Sequence, residues 1–412
     1  EISDLTPLGN LYGMKSLLLG YNCLVQSAEP GTSHPLVPLA GMVGLEFLDL
    51  GWAVEALNED VLRADRGQSN HIRTLAPLAS LDALATLDVS GNDIESLDGL
   101  SGKASLEALL LDDNTALWDV NNTNALENQQ IIASLHGLLG LFVQNTGLTD
   151  GALNTMLVNG TGAASAPWHP DLFVVGLGRN ADLTSLDALS PCTAMAGVFC
   201  GNNPGLDDIT GLSALPDLSV VVLHNTQVGE IESLTALITD QVAEGEGGVL
   251  SIRGNPALTD AKTTACPILG TIAGNGHIVD RDFACGSEVL VTVAVSPENA
   301  GSTDPPAGTY PVETGANAEL QVWQTNPGYV FSHWSGDIVG TERTVPLTVT
   351  GSMSVTANFL AGGDCTLNLL EPEGAGTVRP APGAWACRLN EHRRVTATPH
   401  PGWAFAGWTG MD

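Results

Sequence analysis

Lysine is almost missing from this sequence: only Lys15, Lys103 and Lys262 occur, and 14 Lys plus Arg face 46 Asp plus Glu, for a formal net charge of −32. A chain so acidic repels phosphate backbones and anionic lipid headgroups, which sets aside nucleic acid and bare membranes as partners. The same imbalance favours solubility, tolerance of salt and weak association with divalent cations. No apolar run reaches the roughly eighteen residues of a membrane-spanning helix. The first residues, EISDLTPLGN, lack the basic start and apolar stretch of a signal peptide. They look like the middle of a repeat, so a preceding segment is expected.

Marks of catalysis are missing as well. No phosphate loop, dinucleotide fingerprint, zinc-protease helix or nucleophile elbow occurs. The cysteines (23, 192, 200, 266, 285, 365 and 387) contain no Cys-x-x-Cys pair, which argues against a zinc ribbon or a thioredoxin-like site. His34, His71, His136, His169, His224, His277, His333, His392 and His400 never stand at metal-ligand spacing with a carboxylate, and are expected in turns or on the surface. Acidic stretches such as Leu111-Asp112-Asp113-Asn114 lack the spacing of a calcium loop and are expected to be solvated turns. No enzyme activity, no cofactor and no metal site is expected.

What is present is repetition. The 412 residues are too many for one ordinary core, and 43% apolar content suffices for a packed interior. A template recurs: apolar, two residues, apolar, one residue, apolar, two residues, Asn or Thr, one residue, apolar. LATLDVSGNDI, LEALLLDDNTAL, LLGLFVQNTGL, LFVVGLGRNADL, MAGVFCGNNPGL and LSVVVLHNTQV all fit, as does the earlier MKSLLLGYNCL. LEFLDLGWAV is a degenerate copy, and GVLSIRGNPAL is the last. Alternating apolar residues make a short strand with one buried face. No coil of this kind can bury that face alone, so neighbours stack into a solenoid with a parallel sheet on the concave side. Between the strands, IRTLAPLASLDAL and IESLDGL place apolar residues three apart, which suits short 3-10 helices on the convex side.

This pattern resembles the internalin-like class of bacterial leucine-rich repeats, with Leu75 to Ile94 as the best match. The resemblance covers residues 1–286 and implies a curved parallel sheet that binds protein partners on its concave face. Spacing departs from the family. Turn positions 92 and 114 lie 22 residues apart, and 180, 203 and 226 lie 23 apart, but other coils are stretched. Residues 55–70, 121–136 and 230–246 read as helical insertions, and 151–168 as a loop with a weak helix. Cys266 and Cys285 bracket TTACPILGTIAGNGHIVDRDFACG, which resembles the C-terminal coil of secreted bacterial leucine-rich proteins. A disulfide there would close the cap and implies an oxidising compartment. Cys23 is expected to find its partner in a preceding segment. Cys192 and Cys200 occupy inward positions and are either bonded or two buried small hydrophobes.

Composition shifts after Gly286 towards Thr, Val, Pro, Gly and Trp. Two copies of a small all-β, β-grasp-like module align: Gly301 with Gly376, Gly328-Tyr329 with Gly402-Trp403, Phe331 with Phe405, and Trp334-Ser335-Gly336 with Trp408-Thr409-Gly410. The PGYxFxxWSGD motif resembles the divergent internalin B-repeat module, which in bacterial surface proteins forms tandem stalks. The expected division is 1–286 solenoid and cap, 287–360 first module and 361–412 second module, truncated, with junctions near 286–290 and 361–364. The Trp of each motif is expected to anchor a core. Cys365 and Cys387, matching Leu290 and Val312 of the first copy, are expected to clamp a hairpin.

Because side chains alternate along a strand, the residue between the second and third apolar template positions points outward. That lane contains Leu18, Asp49, Asp88, Leu110, Phe142, Gly176, Phe199, Val222 and Ser251, with Val174 and Val220 flanking it. The adjoining lane, Gly20, Gly51, Ser90, Asp112, Gln144, Gly178, Gly201 and His224, is small or polar, and is expected to let a partner's backbone come close. Leu110, Phe142, Phe199 and Val222 make an apolar stripe on a solvated sheet, which is expected either to mark a partner site or to be covered by an insertion or a further segment of the chain. The leading expectation is a secreted or cell-surface binding or adhesion protein with its β modules as stalk. Alternatives are a self-assembling surface or filament component, and the non-catalytic targeting arm of a larger secreted enzyme.

Overall fold

The computed structural model describes residues 2–20, 22–26, 34–51, 70–119, 121–158, 169–239, 247–361, 364–370, 372, 374–388 and 394–408. Contacts divide the chain into two units, Glu1–Arg281 and Asp282–Asp412. The division falls a few residues before the expected Gly286 boundary.

In the first unit, three-residue strands stack in sequence order into one sheet: β1 Ser16–Leu18, β2 Phe47–Asp49, β3 Thr86–Asp88, β4 Ala108–Leu110, β5 Gly140–Phe142, β6 Val174–Gly176, β7 Gly197–Phe199, β8 Val220–Val222, β9 Val249–Ser251 and β10 Ile278–Asp280. Every neighbouring pair is parallel and matched residue for residue. The middle residue of each strand from β1 to β9 is buried, and so are the leucines, valines and isoleucines of the template on either side. Strand β10 lies inside the cap, where the template has no copy; its backbone pairs with β9 all the same.

The template asparagines hold the turns. Asn92 Nδ2 donates to Leu50 O at 3.1 Å and to Val89 O at 3.0 Å, in the preceding coil and its own. Asn114, Asn180, Asn203 and Asn255 repeat this bridge, and all are buried. Such side chains satisfy carbonyls that the short strands leave unpaired. The degenerate coil has its asparagine too. Asn70 donates to Leu19 O and Leu50 O and accepts from Leu24 N, but it follows the stretch 52–69, so it does not stand in sequence beside Leu50.

Opposite the sheet run short 3-10 helices at Val37–Gly41, Ala76–Leu78, Asp187–Leu189 and Thr210–Ala214. Helix α1, Ala125–Ala133, fills the expected insertion at 121–136. Helix α2, Asp150–Leu157, is capped by the Thr149 hydroxyl. Helix α3, Thr235–Thr239, occupies part of 230–246; most of 55–70 lies outside the described residues. Helices α4, Pro256–Asp260, and α5, Lys262–Gly274, form the cap with β10. Cys266 and Cys285 are disulfide-bonded there, a closure that stabilises by roughly 3 kcal/mol on chain entropy. Cys192 and Cys200 are free and fully buried, so they serve as small hydrophobes. Burial pushes the Cys192 thiol up to about 12 and that of Cys200 higher still.

The second unit is built from strands alone among its described residues. In the first module β11 Glu288–Ser296, β12 Gly301–Asp304, β13 Gly308–Glu313, β14 Asn317–Thr325, β15 Tyr329–Gly336, β16 Thr344–Thr348 and β17 Met353–Ala361 form a sheet ordered β13-β11-β17-β15 and a second ordered β12-β14-β16. Strands β11 and β17 are parallel at the centre of the larger sheet. Between the sheets Val291, Val293, Leu320, Val322, Trp334, Leu347, Val355 and Phe359 make one core. Trp334 is fully buried and its Nε1 donates to Glu342 O at 3.0 Å, as expected for an anchor, whereas its counterpart Trp408 is 39% exposed and does not meet that expectation. Because β11 begins at Glu288, the expected linker 286–290 is already strand at its end.

The second module repeats the pairings: β18 Asp364–Leu369 with β20 Gly383–Arg388, and β19 Gly376–Arg379 with β21 Thr396–Pro399. Gly376 faces Pro399 as Gly301 faces Thr325, and Gly328 and Gly402 share a φ of 89°. Backbone register sets Cys365 directly opposite Cys387; in the first copy Leu290 faces Pro311, one residue from the expected Val312.

Candidate partner-binding face

The strand register builds the candidate face directly. Residues in the third position of each strand lie side by side on its outer surface: Leu18, Asp49, Asp88, Leu110, Phe142, Gly176, Phe199, Val222, Ser251 and Asp280. First-position residues form a second lane in which Val174 and Val220 take their places. Leu18 is 68% exposed, whereas Leu110, Phe142, Val174, Phe199, Val220 and Val222 are half-buried. None of these side chains points into the solenoid core.

The rings lie down because glycines make room. A Cβ on Gly176 would stand 2.5 Å from Cδ1 of Phe142, so the ring rests on the bare backbone of the next strand. Val174 packs over Gly140 on one side and Gly197 on the other, and Phe199 borders Gly197 as well. Phe142, Val174 and Phe199 therefore form one continuous apolar surface across β5, β6 and β7. Two exposed apolar residues that the template missed flank it in sequence. Leu139 and Phe173 immediately precede β5 and β6 and are 44% and 56% exposed. Other coils place Lys15, Glu46, Glu107 or Ser219 at this position. Comparing that column between coils, and not only the lanes inside the strands, would have found them.

The adjoining lane overturns an expectation. Its small residues do not leave space for a partner's backbone. A Cβ on Gly201 would fall 2.2 Å from the His224 ring, one on Gly178 would meet the Gln144 side chain at 2.9 Å, and one on Gly51 would meet the Asp88 carboxylate at 2.3 Å. Larger neighbours already fill the gaps, so the glycines shape the protein's own surface.

Asp112 corrects a second expectation, that of a solvated turn. It is only 7% exposed and accepts from Gln144 N at 2.7 Å and Gln144 Nε2 at 3.2 Å. Burial raises its carboxyl to about 7 against the opposing pull of those donors. Beside it Asp113, in the left-handed region at φ 58°, accepts from Asn145 Nδ2 at 2.7 Å and pairs with Arg179 at 3.4 Å. His169 is also not at the surface: it is buried against His136, and burial lowers its pKa to about 4. Among the described residues no group of three or more His, Cys, Asp or Glu is placed to hold a metal ion. No helix among them is long and apolar enough to cross a membrane.

Residues 291–363 and 370–412 match the family model of the divergent InlB B-repeat domain. Among solved structures, internalin C2 of Listeria monocytogenes is 22% identical over 45% of this chain and 68% of its own, with a TM-score of 0.35. A leucine-rich-repeat protein of Leptospira interrogans is 17% identical over 68% of this chain and 62% of its own, with a TM-score of 0.42. An internalin (inlF) of Listeria monocytogenes is 15% identical over 67% of this chain and 88% of its own, with a TM-score of 0.32. No curated protein matches the chain. With the in-register ladder of β1 to β10 in the first unit and the matched segments in the second, the chain is a leucine-rich-repeat solenoid followed by modules that match the divergent InlB B-repeat domain.

Proposed function

We propose that this chain is a recognition protein of a bacterial surface or its exterior, and that it binds a protein partner on the outer face of its solenoid sheet. The observation that carries this reading is the apolar surface formed by Leu110, Phe142, Val174, Phe199, Val220 and Val222, with the exposed Leu139 and Phe173 next to its strands. A half-buried but continuous apolar patch on an otherwise acidic molecule marks a place where another surface is buried. The disulfide of the cap supports an oxidising, extracellular setting. The resemblance to internalin-like proteins supports a binding role without catalysis, with the β modules as stalk. A net charge of −32 speaks against nucleic acid and anionic lipid in that role.

The test is a panel of binders selected from a displayed library of folded domains against the whole chain, then remeasured against Phe142→Ala/Phe199→Ala. Truncating aromatic anchors costs about 2 kcal/mol or more in such interfaces. Most of the panel should lose at least about tenfold in affinity, while the circular dichroism of the variant matches the parent. A panel that binds the double variant unchanged contradicts the reading.

A further inference from the structure

The sheet face has two chemical halves. Strands β4 to β8 carry the apolar surface, while β2 and β3 bring Asp49 and Asp88 together as register partners one strand apart, a spacing of about 4.8 Å. Each carboxylate is folded back onto the sheet: Asp49 Oδ1 accepts from Gly51 N at 2.8 Å and Asp88 Oδ1 from Ser90 N at 2.8 Å. Cations are distributed unevenly. Arg179 serves Asp113, Arg253 serves Asp280, and Lys15 serves Glu46 at 2.6 Å. Among the described residues no cation serves Asp49 or Asp88. Two like charges side by side on a partly desolvated surface each disfavour the other's ionised form. Burial raises both carboxyls, and for Asp88 the charge of Asp49 adds to the rise. An incoming cation cancels the repulsion between the two carboxylates and offsets their desolvation by direct attraction.

We propose that the partner is a polypeptide whose apolar anchor, seated on Phe142, Val174 and Phe199, is flanked by lysine or arginine side chains that meet Asp49 and Asp88. The proposal rests on the sheet face being the binding surface. Two to three inter-strand spacings separate the carboxylate pair from Phe142, so the partner's cation stands about 10–15 Å from the part of its anchor that sits on Phe142. A second copy of this chain fits poorly. It would bring another 46 acidic residues against 14 Lys plus Arg, and like-charged faces suppress association.

A displayed library of random peptides, panned at low salt, tests this on four forms: the intact chain, D49N/D88N, F142A/F199A and D207N/D217N. The last removes the same charge from exposed positions outside the sheet lanes. Peptides held by the intact chain should combine aromatic or aliphatic residues with Lys or Arg. Individual clones should bind D49N/D88N about tenfold more weakly, as for loss of a charge-assisted hydrogen bond, and bind D207N/D217N as they bind the parent. Equal Lys and Arg enrichment on D49N/D88N, or equal losses on the two charge variants, overturns the proposal, because general acidity then explains the preference. Apolar clones without cations that still depend on Phe142 and Phe199 overturn it too, but leave the sheet face as the binding surface. Clones indifferent to F142A/F199A remove that surface and the proposal with it.

Discussion

Asp112 shows how one buried carboxyl sets a pH dependence. Its folded pKa is raised to about 7 from the model-peptide 3.8, chiefly by burial. A raised carboxyl favours the protonated folded form, so its contribution to stability is fully present below about 3.8 and is lost as pH rises towards 7. Above that range the buried charge costs roughly 2–4 kcal/mol. Asp112→Asn keeps a carbonyl oxygen for Gln144 N and cannot ionise. The variant should melt several degrees above the parent at pH 8 and close to it at pH 4. A difference in melting temperature that is the same at both pH values contradicts this assignment. The sequence did not reveal the burial of Asp112, because its neighbours Asp113 and Asn114 read as an ordinary polar turn. Lys103 was equally illegible: this rare lysine is buried and donates from Nζ to Ala79 O at 3.2 Å and Leu81 O at 3.0 Å, satisfying two carbonyls of the preceding coil.

At the scale of elements, alternation and the recurring asparagine made the strands readable. Strands β1 to β9 all centre on template leucines or valines, because a three-residue strand has a single inward side chain and selection of that residue type is strict. Asn70 escaped because the ladder depends on stacking in space, and an insertion between Leu50 and Asn70 breaks the spacing without breaking the stack. Strand β10 escaped because its pairing is carried by backbone groups and needs no leucine. In the modules, the aromatic motif was legible and its geometry explains why. The ring of Phe331 stands 5.6 Å from those of both Trp334 and Phe359, so the three rings pin β15 to its sheet neighbour β17 on the face that meets the core. Trp334→Ala should cost about 3–5 kcal/mol. Calorimetry should show the melting of the first module shifted down and the solenoid transition unmoved. A shift of the solenoid transition instead would contradict the assignment of Trp334 to a separate core.

For the whole molecule, the order of units and the sign of the charge were plain from composition, while the sheet-face surface was plain only in part. The lanes follow from period-two alternation, but the flat lie of Phe142 on Gly176 depends on which residue the neighbouring coil offers, and that is set by coil lengths the insertions obscure. Cys365 and Cys387 belong to this scale as evidence of compartment. Directly opposed residues in an antiparallel pair have Cα atoms about 4.5–5.5 Å apart, within the range a disulfide spans, and the register opposes these two. Non-reducing peptide mapping should recover them as one linked pair; free thiols at both positions would contradict it. The central claim, that the sheet face is where a protein partner sits, is tested most directly by site-specific photocross-linking in a complex with a selected folded-domain binder. A benzophenone side chain at Phe173, 56% exposed beside β6, is compared with one at Leu126, 60% exposed on α1 away from the sheet. The account predicts cross-links from position 173 and none from position 126; cross-links from 126 alone would contradict it.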